Sequence, residues 1–431
     1  MNNTGIVIYE RLNKMLIILF KKGVNYLMII KGKYADIKVF ADIIDDSALV
    51  QLEELANQEF VKGSIIRIMP DAHAGKGCVI GTTMTITDKI VPNLVGVDIG
   101  CGMLCVDLGK SKIDYKSLDA YIYRNVPAGR DIFKNRLKFK TNINKIRCMN
   151  HLKNKDVFFR SVGTLGGGNH FIEIDKDEEG NHYLIIHSGS RNLGKQVADY
   201  YQNLAIKYHE NILFNKSEEI NRVIMEFSNT DKKKEIKKRI KDIKNKKVDL
   251  NIPRDLCYLE GDDFDDYMHD IEIVQRYASE NRMRIAETIV EFLGMELDNL
   301  DYFETIHNYI DHDDMILRKG AVASYKNERL LIPINMKDGC LICVGKSNED
   351  YNYSAPHGAG RLLSRTKAKQ EISLDDYIDS MEGIYSTSVN RRTIDESCFA
   401  YKPLESILNN IEGTVDVIKQ IKPVYNFKSS R

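Results

Sequence analysis

Short apolar runs that end in glycine-rich loops most strongly limit what this chain can fold into. The runs are two to five residues long, are bounded by glycine and predict buried strands, the clearest being 65–69, 79–80, 183–186 and 341–344. The loops at their ends carry histidine, cysteine or aspartate between glycines, as in 98–102, 168–170, 187–191 and 356–361. Histidine, cysteine and aspartate bind metals, and glycine lets the backbone approach a phosphate closely. The pattern indicates a metal-dependent enzyme that acts on phosphates.

Helical stretches lie between these runs, and the clearest covers residues 264–293. Its apolar residues recur at three- and four-residue spacing: Tyr267, Ile271, Val274, Ala278, Ile285, Ile289 and Phe292. Strands and helices do not alternate as in regular βαβ units, so the α+β class is predicted. The 431 residues exceed the roughly 250 to 300 at which one core usually stops growing. Because no repeat or long linker marks a boundary, we expect a single large mixed α/β domain.

A lysine-rich segment interrupts this pattern at residues 232–247. Ile236, Ile240 and Ile243 keep one apolar stripe at helical spacing, which predicts a surface helix. We expect residues 211–260 to form a helical hairpin insertion. Its lysines are either a solvated face or a contact with RNA phosphates.

The N-terminal segment contains the apolar run 15–20, which ends at two lysines and a glycine. The run is far shorter than the roughly 20 residues that span a bilayer, and no small-residue cleavage site follows it. Residues 27–31 resemble an ordinary first strand. We therefore expect the catalytic domain to cover 28–431, with 1–27 as an extension or a misassigned start.

Charge and cysteine content limit the partners and the compartment. Lysine plus arginine and aspartate plus glutamate both total 62, so a polyanion must be attracted by a local patch. The eight cysteines have no regular spacing, which indicates reduced thiols in a cytoplasmic protein rather than a disulfide framework.

The first candidate metal ligands are Asp98 and Cys101, a hard carboxylate and a soft thiolate in a segment too glycine-rich for a stable helix. A buried cysteine beside a turn aspartate is the alternative interpretation. His170, His187 and His307 bring the candidate ligands to five. Five mixed ligands exceed a closed tetrahedral zinc site, so the site is either open or shared by two ions. Such ligands admit manganese, zinc or iron.

Residues 163–170 resemble a phosphate cradle, because successive glycine amides can converge on an anion. A tight turn between strands is the alternative, but Asn169, His170 and Glu173 follow closely and favour the cradle. Residues 70–77 have a similar character, and Lys76 there faces either phosphate or solvent.

His357 is a candidate nucleophile, because it lies in a turn of small residues with Arg361 and Arg365 following at four-residue intervals. A histidine that attacks a phosphate forms a phosphoramidate and splits one difficult displacement into two easier ones. Arginine and metal would offset the charge at phosphorus. For His357 alone, a capping or turn role is the alternative.

Together these motifs resemble the RtcB family of RNA-splicing ligases, from about Met28 to Lys428. The motifs that carry the resemblance are 98–103, 166–171, 187–191, 307–308, 318–321 and 357–361. The resemblance implies an α+β fold of RtcB type and a GTP- and manganese-dependent enzyme. Such an enzyme joins RNA ending in a 3′-phosphate or 2′,3′-cyclic phosphate to RNA with a 5′-hydroxyl, in RNA repair or tRNA splicing. Its histidine takes GMP from GTP and passes it to the RNA 3′-phosphate, and the 5′-hydroxyl then displaces the GMP.

Carried over residue by residue, the resemblance implies two manganese ions with Cys101 as the bridge. The implied ligands are Asp98, Cys101, His170, His187 and His307. It implies His357 as the catalytic nucleophile. The implied guanylate contacts are Asn169, Glu173, His357, Ala359, Gly360, Tyr401 and Lys428. Archease is a candidate activating partner, and no membrane partner is implied.

Two stretches depart from the family pattern. Residues 332–340 replace a glycine- and serine-rich form, and the chain continues through 429–431 where the family pattern ends in glycine. The cellular substrate is therefore open between damaged RNA and spliced tRNA halves. A metal-dependent phosphoesterase without guanylylation and a non-catalytic RNA-binding protein are the alternative functions. The Gly-Ala-Gly-Arg sequence after His357 favours the ligase.

Overall fold

A computed structural model describes residues 6–11, 15–22, 25–227 and 233–429, with side chains from residue 28 onward. Its strands are β1 (Ile6–Arg11), β2 (Met15–Lys22), β3 (Asn25–Lys31), β4 (Asp36–Val39), β5 (Ile66–His73), β6 (Ile80–Thr85), β7 (Gly102–Gly109), β8 (Phe171–Lys176), β9 (His182–Ser188), β10 (Tyr302–Ile306), β11 (Asn308–Asp311), β12 (Ile316–Lys319), β13 (Ala321–Ala323), β14 (Arg329–Asn335), β15 (Gly339–Gly345), β16 (Ser354–Pro356) and β17 (Val415–Lys428). Its helices are α1 (Asp46–Ala56), α2 (Tyr115–Asn125), α3 (Asp156–Ser161), α4 (Arg191–Leu213), α5 (Lys216–Glu226), α6 (Lys233–Asn245), α7 (Gly261–Phe292), α8 (Arg365–Glu371), α9 (Leu374–Ser380) and α10 (Leu404–Ile411). The mixture of helices and sheets confirms the predicted α+β class.

Two large sheets form the body of the protein. Among the described residues, one sheet has the order β1-β2-β3-β4-β5-β6-β12-β11 and the other the order β10-β7-β9-β8-β17-β15-β14. Strands β13 and β16 form a short antiparallel pair. The four predicted apolar runs lie in or at the start of β5, β6, β9 and β15. The loops that carry the histidine motifs are therefore fixed at the ends of paired strands.

Helix α7 connects the two sheets. The structure extends the helix predicted at 264–293 by three residues at its start and ends it one residue earlier. Its apolar stripe is buried as expected, except for Phe292, which is exposed at the last turn. Tyr267, Ile271 and Val274 pack in the core beneath the first sheet, whereas Ile285 and Ile289 pack in the core of the second. The helix contacts β7 and β9 of one sheet and β11 of the other. It thereby holds the strand ends that carry the candidate ligands.

The N-terminal strands extend the first sheet. The strand predicted at 27–31 begins at Asn25, and β1 and β2 precede it. β1 pairs with β2, and β2 pairs with β3, both in antiparallel register. Residues 6–11 and 15–22 of the predicted extension thus continue the sheet, and the domain start at residue 28 stays a prediction.

The lysine-rich segment forms α6, which packs against α5. The side chains of Ile236, Ile240 and Ile243 are half-buried, as the apolar stripe predicts, and the lysines of α6 are exposed. Arg239 of α6 binds the carboxylate of Glu226 at the end of α5, with N–O distances of 3.1 and 3.2 Å. Lys232, the first residue of the predicted segment, lies outside the described residues. That 211–260 is an insertion stays a prediction.

All eight cysteines are free thiols, and seven of them are buried. Their state agrees with the reduced thiols predicted from their irregular spacing. Within the described ranges, none of the helices combines the length and apolarity needed to cross a membrane.

Candidate active site

The five predicted metal ligands converge on one buried cluster. Asp98 and Cys101 lie in the loop before β7, and His170 directly precedes β8. His187 lies near the end of β9, and His307 lies between β10 and β11. Because β10, β7, β9 and β8 are consecutive neighbours in one sheet, residues that are far apart in sequence meet where the ends of these strands lie side by side. The strand order therefore builds the cluster.

The donor atoms lie within metal-binding reach of one another. Cys101 Sγ is 3.4 Å from His170 Nε2 and 3.3 Å from His187 Nε2. His170 Nε2 is 2.9 Å from an Asp98 carboxylate oxygen, and His187 Nε2 is 3.3 Å from His307 Nε2. The donors form two groups, Asp98 with Cys101 and His170, and Cys101 with His187 and His307. Because Cys101 belongs to both groups, the arrangement fits two cations bridged by one thiolate.

The electrostatics of the cluster also fit a cation. Burial, and next the charge of neighbouring histidines, lowers the pKa of His187 and of His307 well below the ordinary value. Burial acts to raise the pKa of Asp98, but the adjacent His170 outweighs it and holds that pKa at about 2. Burial and then Asp98 raise the pKa of the Cys101 thiol, which disfavours the thiolate. A bound cation would lower that pKa again and so stabilise the thiolate. Neutral imidazoles and an ionised carboxylate are the forms that bind metals.

Two further residues hold the ligand loops in place. The fully buried guanidinium of Arg282 in α7 donates to the backbone oxygens of Gly100 and Ser188, each at 2.7 Å. Gly189 leaves room for a ligand, since a Cβ there would lie 2.2 Å from an Asp98 carboxylate oxygen. The glycine after His187-Ser188 is thus a steric requirement of the cluster.

His357 lies beside the cluster and is oriented by Asp71 at the end of β5. Its ring centroid is 5.0 Å from that of His307. Asp71 Oδ2 is 2.6 Å from His357 Nδ1 and accepts the backbone N–H of His357 at 3.1 Å. Gly360 permits this approach, because it has a φ of +73° and a Cβ there would lie 2.3 Å from the Asp71 backbone oxygen. A histidine, its orienting carboxylate and the ligand cluster therefore share one site.

One cleft joins this histidine to the predicted nucleotide contacts. The predicted residues that line it are Asn169, Glu173, His187, His307, His357, Ala359, Gly360, Arg361, Arg365, Tyr401 and Lys428. The other predicted ligands, Asp98, Cys101 and His170, are not part of the lining. Ile334, Asn335 and Met336, from the stretch that departs from the family pattern, also line the cleft. Lys76 is exposed and is not part of the lining, so it faces solvent.

Glu396, which was not predicted, contacts or lies near four predicted residues that line this cleft: Arg361, Arg365, Tyr401 and Lys428. Its carboxylate is 4% exposed, lies 2.6 Å from Lys428 Nζ and accepts the Tyr401 hydroxyl at 2.9 Å. It also pairs with Arg365, and Arg361 Nη1 lies 3.8 Å away. Burial acts to raise the pKa of Glu396, but Lys428 and Arg365 outweigh it and hold that pKa at about 2. Glu396 is therefore an ionised centre around which the cationic wall is arranged.

Asp71, Glu396 and Arg282 were not predicted as site residues, and only Asp71 has a local sequence pattern that could have indicated its role. Asp71 lies within residues 70–77, a segment singled out for its glycines, and its strand-end position was a usable signal. Glu396 ends a 3-10 helix of three residues, Ile394–Glu396, and Arg282 lies in the middle of a long helix. No local pattern marks either of them, because their roles come from contacts with distant parts of the chain.

A buried set of metal donors beside an oriented histidine, in a cleft walled by arginines, defines a candidate site for metal-dependent phosphoryl or nucleotidyl transfer. The family model described as tRNA-splicing ligase RtcB matches residues 51–429. Since the match covers most of the chain, the chain belongs to the RtcB family of ligases.

Similar proteins extend this match along nearly the whole chain. RNA-splicing ligase RtcB1 of Escherichia coli (strain ATCC 25922) is 28% identical over 421 aligned residues, which cover 88% of this chain and 94% of the relative. RNA-splicing ligase RtcB of Escherichia coli K12 has the same identity and coverage. The tRNA-splicing ligase RtcB of Nanoarchaeum equitans is 24% identical and covers 91% of this chain and 93% of its own length.

Proposed function

We propose that this enzyme is a GTP- and manganese-dependent RNA ligase that joins a 3′-phosphate or 2′,3′-cyclic phosphate end to a 5′-hydroxyl end. The observation that carries the proposal is the placement of His357. It contacts Asp71, neighbours the His307 ring and opens into the cleft that contains the arginines. A phosphoesterase would use His357 only as an acid or an anion contact, and the Gly-Ala-Gly-Arg sequence that follows His357 favours the nucleophile instead.

His357 is the proposed nucleophile. Asp71 accepts a hydrogen bond from the Nδ1–H group of His357. The proton therefore stays on Nδ1, and the lone pair of Nε2 is free to attack. Nε2 forms a bond to the α-phosphorus of GTP, the bond from that phosphorus to the bridging oxygen breaks, and pyrophosphate leaves. Arg361 and Arg365, which line the same cleft, are the proposed counter-charges for the phosphate oxygens.

Asp98, Cys101, His170, His187 and His307 are the proposed ligands of two manganese ions, and Cys101 is the proposed bridge. When bound, such ions supply Lewis-acid stabilisation of charge at phosphorus and lower the pKa of a water that could open a cyclic phosphate. Two of these ligands, His187 and His307, also line the cleft, and the His307 ring centroid is 5.0 Å from that of His357. Mixed carboxylate, imidazole and thiolate ligation also admits zinc or iron, so the metal requires a direct test.

The nucleotide is proposed to occupy the cleft away from the ligand cluster. Buried Glu173, exposed Asn169, Tyr401 and Lys428 all line this cleft, and Lys428 lies on the strand next to that of Glu173. Ala359 and Gly360 follow the nucleophile and lie along the nucleotide. GMP then passes from His357 to the RNA 3′-phosphate, and the RNA 5′-hydroxyl displaces GMP to complete the phosphodiester.

Defined RNA ends test this function. We expect joining of a 3′-phosphate RNA to a 5′-hydroxyl RNA only when GTP and manganese are both present. An RNA that ends in a 3′-hydroxyl is the matched control and should not react. Release of phosphate without joining, in the absence of GTP, would instead establish a phosphoesterase. Adding archease to the same reaction tests whether a partner accelerates turnover.

A further inference from the structure

Asp175 is a buried carboxylate that the proposed mechanism does not use. It lies in β8 with no solvent exposure, and neither of its oxygens accepts from a nitrogen or hydroxyl donor among the described residues; the Cys340 thiol and the Glu173 carboxyl are the polar groups that reach it. A buried carboxylate without such a donor is strongly destabilising unless a proton or a cation neutralises it. The structure therefore calls for one of these two at Asp175.

The groups around Asp175 come from four strands. Glu173 lies two residues earlier and points to the same face of β8, while Cys340 lies on β15 and Cys105 on β7. One ligand atom from each of Asp175, Glu173 and Cys340 lies within 4.8 Å of the others. Asn426 and Lys428 on β17 complete the polar surroundings.

The hydrogen-bond donors in this group favour the ionised form of Glu173 over that of Asp175. Asn426 Nδ2 donates to a Glu173 carboxylate oxygen at 2.9 Å, and the positive charge of Lys428 acts on Glu173. Among the described residues, the only donor that reaches Asp175 is the thiol of Cys340, and a thiol donates weakly. Two carboxylates that share a dry site cannot both ionise, so one of them retains a proton. The asymmetry of the donors leaves the negative charge on Glu173 and the proton on Asp175.

We propose that Asp175 is a neutral carboxylic acid whose hydroxyl donates to Glu173, which makes Asp175 a positioning residue for nucleotide-base recognition. Burial raises the pKa of Glu173 to about 8, and burial with the charge of Glu173 raises the pKa of Asp175 well above its ordinary value. Both directions agree with a pair that holds at least one proton at neutral pH. The hydrogen bond from Asp175 lowers the pKa of Glu173, and the N–H groups of a bound guanine would favour the ionised form of Glu173 further. A cation at this group would have to compete with Lys428 and Asn426, because the charge of Lys428 already acts on Glu173 and Asn426 already donates to it.

The consequence is a preference for guanine. An ionised Glu173 can accept hydrogen bonds from two adjacent N–H groups on the Watson–Crick edge of guanine, whereas adenine presents an acceptor there. The Asp175 proton keeps Glu173 in this accepting form. This inference rests on the proposed GTP-dependent function, because Glu173 lines the cleft where the base is proposed to bind.

Asp175→Asn and Asp175→Leu distinguish the effect of a hydrogen-bond donor at this position from the effect of side-chain size, because only asparagine can donate to Glu173. The amide keeps a donor toward Glu173, so Asp175→Asn should keep the KM for GTP in guanylylation within about threefold of wild type. Asp175→Leu removes the donor, and we expect that KM to rise roughly 10- to 100-fold, with a smaller effect on kcat and a reduced preference for GTP over ATP. Circular dichroism checks that both variants are folded.

Infrared spectroscopy tests the proton without any nucleotide. Wild type should show a protonated-carboxyl C=O band that is lost in Asp175→Asn. Absence of this difference, equal damage in both variants, or loss of a bound metal specifically in Asp175→Asn would overturn the inference. If wild type forms no GTP adduct, the proposed function fails, and the infrared difference still decides whether Asp175 carries a proton.

Discussion

Asp71 Oδ2 lies 2.6 Å from Nδ1 of His357, and this contact determines which ring nitrogen carries the proton. The same oxygen accepts the backbone N–H groups of His357 and Gly358 at 3.1 and 3.2 Å. An oxygen that already accepts two backbone N–H groups is an acceptor for the ring as well, so Nδ1 is the protonated nitrogen. Nε2 is therefore free for nucleophilic attack.

Asp71→Asn tests this orientation. The amide cannot accept from Nδ1 with the charge of a carboxylate, and its N–H group can select the wrong histidine tautomer. We expect the rate of guanylylation to fall on the order of 10²-fold or more, while metal content stays at the wild-type value. Single-turnover kinetics measured by intact mass would report the rate. A wild-type rate in this variant would show that Asp71 does not prepare the nucleophile.

Gly360→Ala tests the close approach of the nucleophile turn to β5. The new Cβ would lie 2.3 Å from the Asp71 backbone oxygen at a φ that alanine rarely adopts, so the Asp71–His357 contact must shift. We expect at least a tenfold loss of guanylylation rate, by analogy with small displacements of catalytic groups. Gly358→Ala is the matched control, because its nearest contact would be 3.3 Å and its φ is not in the left-handed region. Equal rates in the two variants would contradict the steric argument.

Glu396→Gln tests the ionised centre of the cleft wall. The pKa of about 2 lies below the ordinary value of 4.5, so ionised Glu396 stabilises the fold above about pH 4.5, and this stabilisation is lost as the pH falls toward 2. At neutral pH we expect the variant to lose about 3 kcal/mol of unfolding free energy. Chemical denaturation at several pH values should show the difference from wild type shrinking through this window. A pH-independent difference would argue for a packing role alone.

Cys101→Ala and His357→Ala separate metal binding from nucleophilic attack. Cys101 belongs to both donor groups, so we expect its loss to weaken both metal sites and to abolish every later step. His357 belongs to neither group, so His357→Ala should keep metal and lose guanylylation. Elemental analysis of the two purified variants would measure this difference. Equal metal loss in both would contradict the separation of roles.

The glycine-bounded motifs made the donor cluster predictable from sequence. Cys101, His170 and His187 each lie next to a strand end. The apolar runs indicate that these strands exist but not the order in which they pair, and that order brings the strand ends together. The length of α7 was also predictable, because its apolar stripe from Tyr267 to Phe292 persists over about seven turns at regular spacing.

Contacts between distant residues were not predictable in this way. Asp71 and His357 are 286 residues apart, and Glu396 contacts Lys428 only because the short 3-10 helix Ile394–Glu396 lies beside the end of β17. The sequence presents Asp175 as an ordinary polar residue in a strand, because the Cys340 side chain that reaches it comes from β15, which is not a direct neighbour of β8 in the sheet. Periodicity identifies elements, but such pairings depend on the tertiary fold.

The central claim is that His357 carries GMP, and intact-mass measurement after incubation with GTP and manganese tests it most directly. We predict a mass increase of one GMP in wild type that is absent in His357→Ala, with metal content unchanged in the variant. Proteolysis and mass mapping should place the adduct on the peptide that contains His357. A wild-type protein that binds metal and GTP but gains no mass, or an adduct that persists in His357→Ala, would contradict the account.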